Sequence, residues 1–325
     1  MTADRTGVLW SLASKERPMV RTTLEGLLFD EGTNEAIRGA LPEPAVAFFE
    51  LVTHLGDGAV LVGLMAAMYW FGAPSRRRTR ALVLAIGLLA LALSAGLKGI
   101  VDAPRPDVAF GYGVYSPYSF PSAHALGAAA VYGAIAAFGE LGTKRLRYAI
   151  AGTIIVLVAL SRVVVGAHFV GDVLVGVVLG LGIVALVVRF RPEPTPLFAL
   201  AGAVAVVSFA FGSTHYTTIT TGAAIGATVV WPYASRKSWQ PYGASLFVFA
   251  VCLLPMLAVL RAITVGWDFH WIVDVGAYAL VMSGAVLVPG IAARLNDWES
   301  VTRLQATLPF SRRTVDPEQM PATKK

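Results

Sequence analysis

Residues 149–182 read AIAGTIIVLVALSRVVVGAHFVGDVLVGVVLGLG, two long apolar runs that are separated by a short polar stretch. The runs extend over residues 147–165 and 168–188, close to the length of about 20 residues that a helix needs to cross a bilayer. Arg162, His168 and Asp172 stand at the edges of these runs, where ionisable groups are costly unless they serve a function. The stretch therefore predicts two membrane-spanning helices whose adjoining ends carry a functional site.

The composition of the whole chain agrees with a polytopic membrane protein. Of 325 residues, 56% are hydrophobic and 14% are charged, whereas soluble domains carry about 25% charged residues. The net charge of +6 comes from basic residues that gather in short loops between apolar blocks. That pattern is typical of topology determinants and argues against nucleic-acid binding. The predicted fold class is an all-α transmembrane helical bundle.

The hydropathy pattern predicts about nine membrane spans. Basic residues follow every odd-numbered span, as at Arg76 and Lys144, so these loops share one side of the membrane. By the positive-inside rule that side is the cytoplasm, and the C-terminal tail lies there too. The predicted spans are residues 44–71, 81–100, 122–139, 147–165, 168–188, 196–211, 217–233, 243–264 and 271–290.

This topology brings four separated side chains to the opposite, outer face. Lys98 ends the second span, His124 begins the third, Arg162 ends the fourth and His168 begins the fifth. The sequence therefore predicts one outward-facing site in a cell-membrane protein. It also divides the chain into a polar or amphipathic N-terminal segment, a catalytic core, a second transmembrane half and a cytoplasmic tail with little fold. Their predicted bounds are 1–43, 44–190, 191–292 and 293–325.

His168 and Asp172 predict a nucleophile and its partner. They are four residues apart at the start of a helix, so their side chains lie on one face. The carboxylate can accept a hydrogen bond from one ring nitrogen and leave the other nitrogen as the nucleophile. An isolated His-x-x-x-Asp can also be half of a metal site. The nearby cations oppose a divalent ion and favour an anion, so neither a metal nor a cofactor is predicted.

Three short motifs in order carry a resemblance to a known family. Over about residues 44–190 the chain resembles the type 2 phosphatidic acid phosphatase (PAP2) superfamily, which includes lipid phosphatases, polyprenyl-diphosphatases and vanadium haloperoxidases. The family spacing is kept within each motif, and the three together are far more specific than any one alone. The motifs are Lys98 with Arg105-Pro106, then Pro121-Ser122-Ala123-His124, then Ser161-Arg162 with His168 and Asp172.

The resemblance implies a role for each motif residue. His168 would attack phosphorus and form a phosphohistidine, and His124 would protonate the leaving oxygen and then activate water, the phosphoryl acceptor. The phosphate-binding residues would be Lys98, Arg105, Ser122, Ala123 and Arg162. Two features depart from the family pattern. Ala123 stands where a glycine is usual, and only two strong spans precede the first motif where membrane members usually have three.

The expected function is therefore a metal-independent membrane lipid phosphatase that acts at the outer face. Family analogy favours a polyprenyl diphosphate as substrate, with phosphatidate or another phospholipid phosphate as the alternative. A phosphotransferase would use the same residues. A hypothesis of another class is a lipid-phosphate transporter or a non-catalytic binding scaffold. The presence of His168, Asp172 and His124 favours an enzyme, because a binder needs the cations but neither a nucleophile nor an acid.

The remaining histidines predict a weaker, second set. The order of residue types in the first half recurs near predicted helix ends of the second half. The spacing differs, because Arg261 and His270 are nine positions apart. The corresponding Arg162 and His168 are six positions apart. The recurrence is either a coincidence or a degenerate duplication, and in the latter case we expect a decayed site. His54 is interpreted as an interfacial residue. The second set consists of His215, Arg261, His270 and Asp274.

Overall fold

The computed structural model describes residues 28–72, 74–106, 117–212, 214–266 and 270–307. Within these ranges the chain is helical, and its only β-type pairing is an isolated bridge between Pro104 and Tyr118. The α-helices are α1 Glu31–Gly39, α2 Glu43–Val52, α3 Gly58–Trp70, α4 Arg77–Val101, α5 Ala123–Phe138, α6 Lys144–Val164, α7 Val170–Phe190, α8 Pro194–Phe211, α9 His215–Ala234, α10 Gly243–Gly266, α11 Trp271–Ala293 and α12 Glu299–Thr307.

The helices are those of an integral membrane protein. In the described ranges five of them, α4, α6, α7, α8 and α11, are long and apolar enough to cross a membrane, or six if the bent pair of α2 and α3 forms one span. Large apolar side chains stay exposed on the outside of α6 and α7, as lipid-facing helices require. The prediction of an all-helical membrane fold is confirmed, and the count of nine spans stays a prediction.

The predicted first span is broken. A 3-10 turn at Thr53–Gly56 separates α2 from α3, and the two arms meet at 51°. The sequence at the break is Gly56-Asp57-Gly58, in which two glycines weaken the helix and Asp57 adopts an extended backbone. The predicted span 44–71 is therefore bent, and the break places a carboxylate inside it.

Helix α4 is the centre of the bundle. It is buried along most of its length and packs against α3, α5, α8 and α9. Helix α5 packs closely on α7, where Gly176 and Gly180 face it. A Cβ at Gly180 would lie 2.5 Å from the carbonyl oxygen of Leu126. This close approach fixes the relative position of the first turns of α5 and α7, which carry His124 and Asp172.

The second half contains a comparable pair, α9 and α11. Gly222 on α9 faces the backbone of α11, and a Cβ there would lie 2.5 Å from the carbonyl oxygen of Val275. The second half is joined to the first where Trp70 Nε1 donates a hydrogen bond of 2.8 Å to the carbonyl of Ala285 on α11. The two halves are therefore one packed structure.

The predicted C-terminal tail contains a folded element. Helix α12 contacts α10, and the amide of Ala244 donates to the side chain of Gln305 at 3.0 Å. The side chain of Asn296 accepts a hydrogen bond of 2.9 Å from the amide of Tyr242. The expectation of a tail with little fold is wrong for residues 296–307, because side-chain amides there cap the start of α10.

Candidate active site

Six residues of the first predicted set line one cavity of about 280 Å³. The cavity lies where α4 and α6 end and where α5 and α7 begin, which is the convergence that the sequence predicted from topology. The predicted residues in its wall are Lys98, Arg105, Ala123, His124, Arg162 and His168.

His168 is held in place by a hydroxyl that the sequence analysis missed. His168 is 1% exposed and lies in the loop between α6 and α7. Its Nδ1 is 3.2 Å from Ser119 Oγ, and Ser119 Oγ donates a hydrogen bond to Asp172 Oδ2. The direct distance from Nδ1 to Asp172 is 3.5 Å, too long for a good hydrogen bond. The predicted His–Asp pair is therefore bridged by Ser119, which stands two residues before Pro121.

The other ring nitrogen of His168 faces a cation. Arg105 Nη1 lies 3.2 Å from Nε2 and donates to the carbonyl of Ala167 at 2.6 Å. This network assigns the proton to Nδ1, so Nε2 carries the lone pair that faces Arg105. Burial, followed by the charges of Arg105 and Lys98, lowers the pKa of His168 well below its ordinary value. The ring is therefore neutral at physiological pH, as a nucleophile must be.

The two remaining cations are buried and fixed by oxygen acceptors. Lys98 Nζ donates to the carbonyls of Tyr118 and Ser119 at 2.8 and 3.1 Å, and the lysine is 8% exposed. Arg162 is 1% exposed, and its Nη1 donates to Thr53 Oγ1 at 2.6 Å. Buried cations of this kind are costly in a membrane protein unless an anion compensates them. The wall of the cavity is therefore built for an anionic group.

His124 is linked to a carboxylate at the break of the first span. Its Nε2 lies 2.8 Å from Asp57 Oδ1, while Asp57 Oδ2 lies 2.8 Å from His54 Nδ1. Gly56 allows the turn to come this close, because a Cβ there would lie 3.0 Å from His124. His54 thus has a specific partner that its interpretation as an interfacial residue omitted. The signal that could have found Asp57 is an acidic residue inside a predicted span.

Ser122 and Ala123 occupy the start of α5. Ser122 is fully buried, and its Oγ is the N-cap that accepts from the amide of Ala125 at 3.4 Å. The amide of Ser122 donates to the carbonyl of Asp172 at 3.1 Å, which ties the starts of α5 and α7 together. Ala123 lines the cavity. Ser122 therefore holds the helix start in position, and its predicted contact with phosphate stays a prediction.

Helix α1 braces the loop that carries His168. Asn34 is fully buried and donates from Nδ2 to the carbonyl of His168 at 2.9 Å. Arg38 Nη1 donates to the carbonyl of Val164 at 3.0 Å, at the other end of the same loop. The sequence analysis treated this part of the chain as a separate polar segment. No short-range pattern indicates a contact across 134 positions of sequence.

The second set is arranged differently. Helix α9 begins at His215 and α10 contains Arg261, but the side chains of both lie outside the described part of the structure. His270 is exposed and caps α11, where its Nδ1 accepts from the amide of Ile272 at 3.4 Å. Asp274 is buried, and its Oδ1 has no hydrogen-bond partner within the described residues. The structure thus gives His270 and Asp274 no bridged arrangement comparable to that of His168 and Asp172.

Among the described residues, no group of three or more histidine, cysteine, aspartate or glutamate side chains is placed to hold a metal ion. The donors that line the cavity are cationic or neutral instead. Their chemistry suits the binding of a phosphate and an attack on it by an imidazole.

Comparisons with known proteins identify similar chains. The sequence model of the PAP2 superfamily matches residues 78–196. Phosphatidylglycerophosphatase B of Bacillus subtilis (strain 168) is 39% identical over 153 residues, which cover 43% of this chain and 71% of that protein. Decaprenylphosphoryl-5-phosphoribose phosphatase of Mycobacterium tuberculosis is 30% identical over 139 residues, which cover 42% of this chain and 75% of that protein.

One solved structure is similar. It is the crystal structure of the first transmembrane PAP2 type phosphatidylglycerolphosphate phosphatase from Bacillus subtilis. The match has a TM-score of 0.46 and 30% sequence identity, and it covers 57% of this chain and 91% of that chain.

Proposed function

The chain is a phosphatase that belongs to the PAP2 superfamily, and we propose that it removes the terminal phosphate of a membrane lipid through a covalent intermediate on His168. The observation that supports this proposal most directly is the state of His168. The ring is buried among cations that favour its neutral form, its Nδ1 is 3.2 Å from Ser119 Oγ, and its Nε2 is 3.2 Å from the guanidinium of Arg105.

In the first step Nε2 of His168 attacks phosphorus, and the bond from phosphorus to the leaving oxygen breaks. Arg105, Lys98 and Arg162 neutralise the charge on the equatorial phosphoryl oxygens as the transition state forms. Asp172 acts through the Ser119 hydroxyl and stabilises the positive charge that develops on the ring. Arg105 exchanges its contact with Nε2 for one with the phosphate, which releases the lone pair when substrate is bound.

His124 carries the proton in both steps. Because Nε2 is directed to Asp57, Nδ1 is the nitrogen left to protonate the leaving oxygen. In the second step the neutral Nδ1 takes a proton from water, the water oxygen attacks the phosphohistidine, and inorganic phosphate leaves. The Asp57 carboxylate stabilises protonated His124, and the half-exposed His54 connects this pair to solvent.

Two names among the relatives suggest a class of substrate. Those proteins are named for phosphatase activity toward phosphatidylglycerophosphate and decaprenylphosphoryl-5-phosphoribose. Both are lipids that end in a phosphate monoester, and we propose such a lipid for this chain. Family analogy favours a polyprenyl diphosphate, and this lipid is one of the substrates for the phosphate-release assay described below. The basic loops support an outward-facing site, a cytoplasmic C-terminus and the nine-span topology.

The second half of the chain is proposed as a degenerate duplication without catalytic function. Each half contains a closely packed helix pair, α5–α7 and α9–α11, although the glycines lie on the second helix of the first pair and on the first helix of the other. The duplication is supported by the order of residue types in the two halves. The exposed His270 argues against a second nucleophile. The second half would instead contribute to the cavity next to His168.

Phosphate release from purified full-length protein in detergent micelles tests the proposal. We expect release from at least one lipid phosphate in excess EDTA, loss of about a thousandfold or more with His168→Ala, and near wild-type activity with His270→Ala. Rapid alkaline quenching with labelled p-nitrophenyl phosphate, whose leaving group needs no proton, should trap an acid-labile, base-stable phosphoenzyme on His124→Ala but not on His168→Ala. Tight binding of lipid phosphates without any release would instead identify a transporter or a binding scaffold.

A further inference from the structure

Helix α1 lies outside the family match but contacts the loop that carries His168. The match begins at residue 78, whereas α1 ends at Gly39. In the described structure α1 packs against α6, the helix that precedes this loop. The residues that line the cavity come from other elements. Helix α1 can therefore act on the reaction only through the residues that it contacts.

The backbone of His168 is held from two sides. Its amide donates to the carbonyl of Arg162 at 3.3 Å, near the end of α6. Its carbonyl accepts a hydrogen bond of 2.9 Å from Asn34 Nδ2, and both residues are buried. The first of these bonds lies within the family match, whereas the second depends on α1. Because buried carbonyls are nearly always hydrogen-bonded, removal of Asn34 favours a shift of the loop that provides another donor.

Two more contacts join the N-terminal segment to the ends of the same loop. Arg38 Nη1 donates at 3.0 Å to the last carbonyl of α6, before the nucleophile. The ring of Phe29, two residues before α1, lies 6.3 Å from that of Phe169, centroid to centroid, directly after the nucleophile. Gly171 leaves room for the Phe29 ring, because a Cβ at this position would overlap it. The loop is thus contacted before, at and after the nucleophile.

The ring of His168 tolerates little displacement. Its Nδ1 and Nε2 each lie 3.2 Å from a partner, Ser119 Oγ and Arg105 Nη1 respectively. Attack on phosphorus requires the two reacting atoms to be about 3–3.5 Å apart and aligned with the leaving oxygen. A displacement of about 1 Å can cost about a hundredfold in rate. The position of the loop therefore bears on the chemical step.

We propose that Asn34 and Phe29 are positioning residues for the phosphorylation of His168, which hold its loop so that Nε2 is aligned with the bound phosphate. This inference rests on the proposed function and adds residues that line no part of the cavity. Lys98 and Arg162 are fixed by acceptors outside the loop, so they still bind phosphate when α1 is disturbed. Loss of the α1 contacts should therefore slow the reaction and leave substrate binding largely intact.

Steady-state kinetics of full-length variants test this role. The substrates are phosphatidylglycerophosphate, decaprenylphosphoryl-5-phosphoribose, phosphatidate and decaprenyl diphosphate, and the variants are compared on the one that wild type turns over fastest. Asn34→Ala removes the donor to His168, so kcat should fall about tenfold or more while KM stays within about threefold. Glu35→Ala, at an exposed neighbour on α1, is the matched control and should keep the wild-type kcat. A loss in KM at unchanged kcat would overturn the proposal, because α1 would then act on substrate binding.

Two inhibitors separate the position of the ring from the binding of anions. Inorganic phosphate tests the cations, whereas orthovanadate bonds to the attacking nitrogen and resembles the transition state. In Asn34→Ala the inhibition constant for vanadate should rise about as much as kcat falls, and that for phosphate should stay within about twofold. If both constants are unchanged, a smaller folded fraction explains the lower kcat and the proposal is overturned.

The Phe29 contact provides a second test that leaves Asn34 in place. Gly171→Ala should displace the Phe29 ring and lower kcat, whereas Gly182→Ala on the same helix, with open space around it, should not. In the double variant Phe29→Ala/Gly171→Ala no overlap is left, so kcat should not fall below that of Phe29→Ala alone. Losses that multiply in the double variant would contradict the contact.

The possible failures of the two proposals are distinguishable. If Asn34→Ala and Gly171→Ala both keep kcat within twofold of wild type, the positioning role is overturned while the phosphatase activity stands. A wild-type protein that releases phosphate from none of the four lipids would overturn the proposed function itself.

Discussion

The substitution Asp57→Asn tests whether His124 acts as an acid with a charged partner. In the folded protein Asp57 Oδ1 lies 2.8 Å from His124 Nε2, and Asp57 Oδ2 lies 2.8 Å from His54 Nδ1. The asparagine keeps the shape of the side chain but removes its negative charge. If its amide nitrogen turns toward His124, Nε2 must accept a hydrogen bond and cannot itself be protonated. Both effects disfavour the protonated ring that donates to the leaving oxygen.

The size of the effect follows from the environment of the pair. A hydrogen bond to a charged partner contributes about 1.5–3 kcal/mol. The side chain of Asp57 is 40% exposed, so solvent screens the interaction and the lower value applies. About 1.4 kcal/mol corresponds to a factor of ten in rate. We therefore expect Asp57→Asn to lower kcat on a lipid phosphate about tenfold, with little change in KM.

The assay compares two leaving groups. A lipid alcohol needs a proton as it departs, whereas p-nitrophenolate is a stable anion that departs without one. Release of p-nitrophenol from p-nitrophenyl phosphate should therefore show a burst of about one equivalent in Asp57→Asn, because phosphorylation of His168 stays fast and hydrolysis of the phosphoenzyme is slowed. Asp102→Asn, at an exposed acid that ends α4, is the matched control and should behave as wild type.

One result would refute this role of Asp57. If Asp57→Asn keeps kcat within twofold of wild type on the lipid phosphate while His124→Ala loses most activity, the carboxylate does not assist His124. An equal loss on both leaving groups, without a burst, would show that Asp57 acts on substrate binding or on folding instead.

Three further predictions concern the loop and the helix pair around the site. Burial, followed by the charge of Arg105, lowers the pKa of His168, so the neutral ring persists as the pH falls below 6.5. Arg105→Gln should therefore move the acidic limb of the kcat/KM profile to higher pH, and an unmoved limb would contradict this. Asn34→Ala should lower the unfolding free energy by about 1–3 kcal/mol in chemical denaturation, since it leaves the buried carbonyl of His168 unpaired. Gly180→Ala should lower the melting temperature and the activity, because its Cβ would lie 2.5 Å from a backbone oxygen of α5, whereas Gly182→Ala, with open space around it, should change neither.

The sequence predicted the class of fold and the charged and histidine side chains of the described cavity wall. Hydropathy indicated transmembrane helices, and alternation of basic loops brought Lys98, His124, Arg162 and His168 to one end of them. These inferences succeed because span length and loop charge are local properties of the chain. The break at Asp57 was missed because the average hydropathy of residues 44–71 hides a short Gly-Asp-Gly interruption.

The contacts that tune the site could not be predicted in the same way. Ser119 bridges to His168 over 49 positions, and Asn34 reaches the same residue over 134 positions. Such pairs are set by the packing of helices in three dimensions, which no short-range periodicity encodes. The polar segment before α2 was therefore read as separate from the catalytic core, although its helix α1 contacts the core directly.

The glycines of the two helix pairs bear on what the second half does. Eight residues after His168 stands Gly176, which faces α5, whereas eight residues after His270 stands Tyr278, whose Cβ packs over Gly222 of α9. In the first pair the glycine lies on the second helix, α7, whereas in the other pair it lies on the first helix, α9. Both pairs therefore pack closely, but the glycines that allow it are at different positions. A second catalytic site would need its own bridged histidine, but His270 is exposed at the start of α11. Helix α9, in contrast, places Thr220 in the wall of the first cavity. What the second half contributes in the described structure is therefore part of the wall of the first cavity.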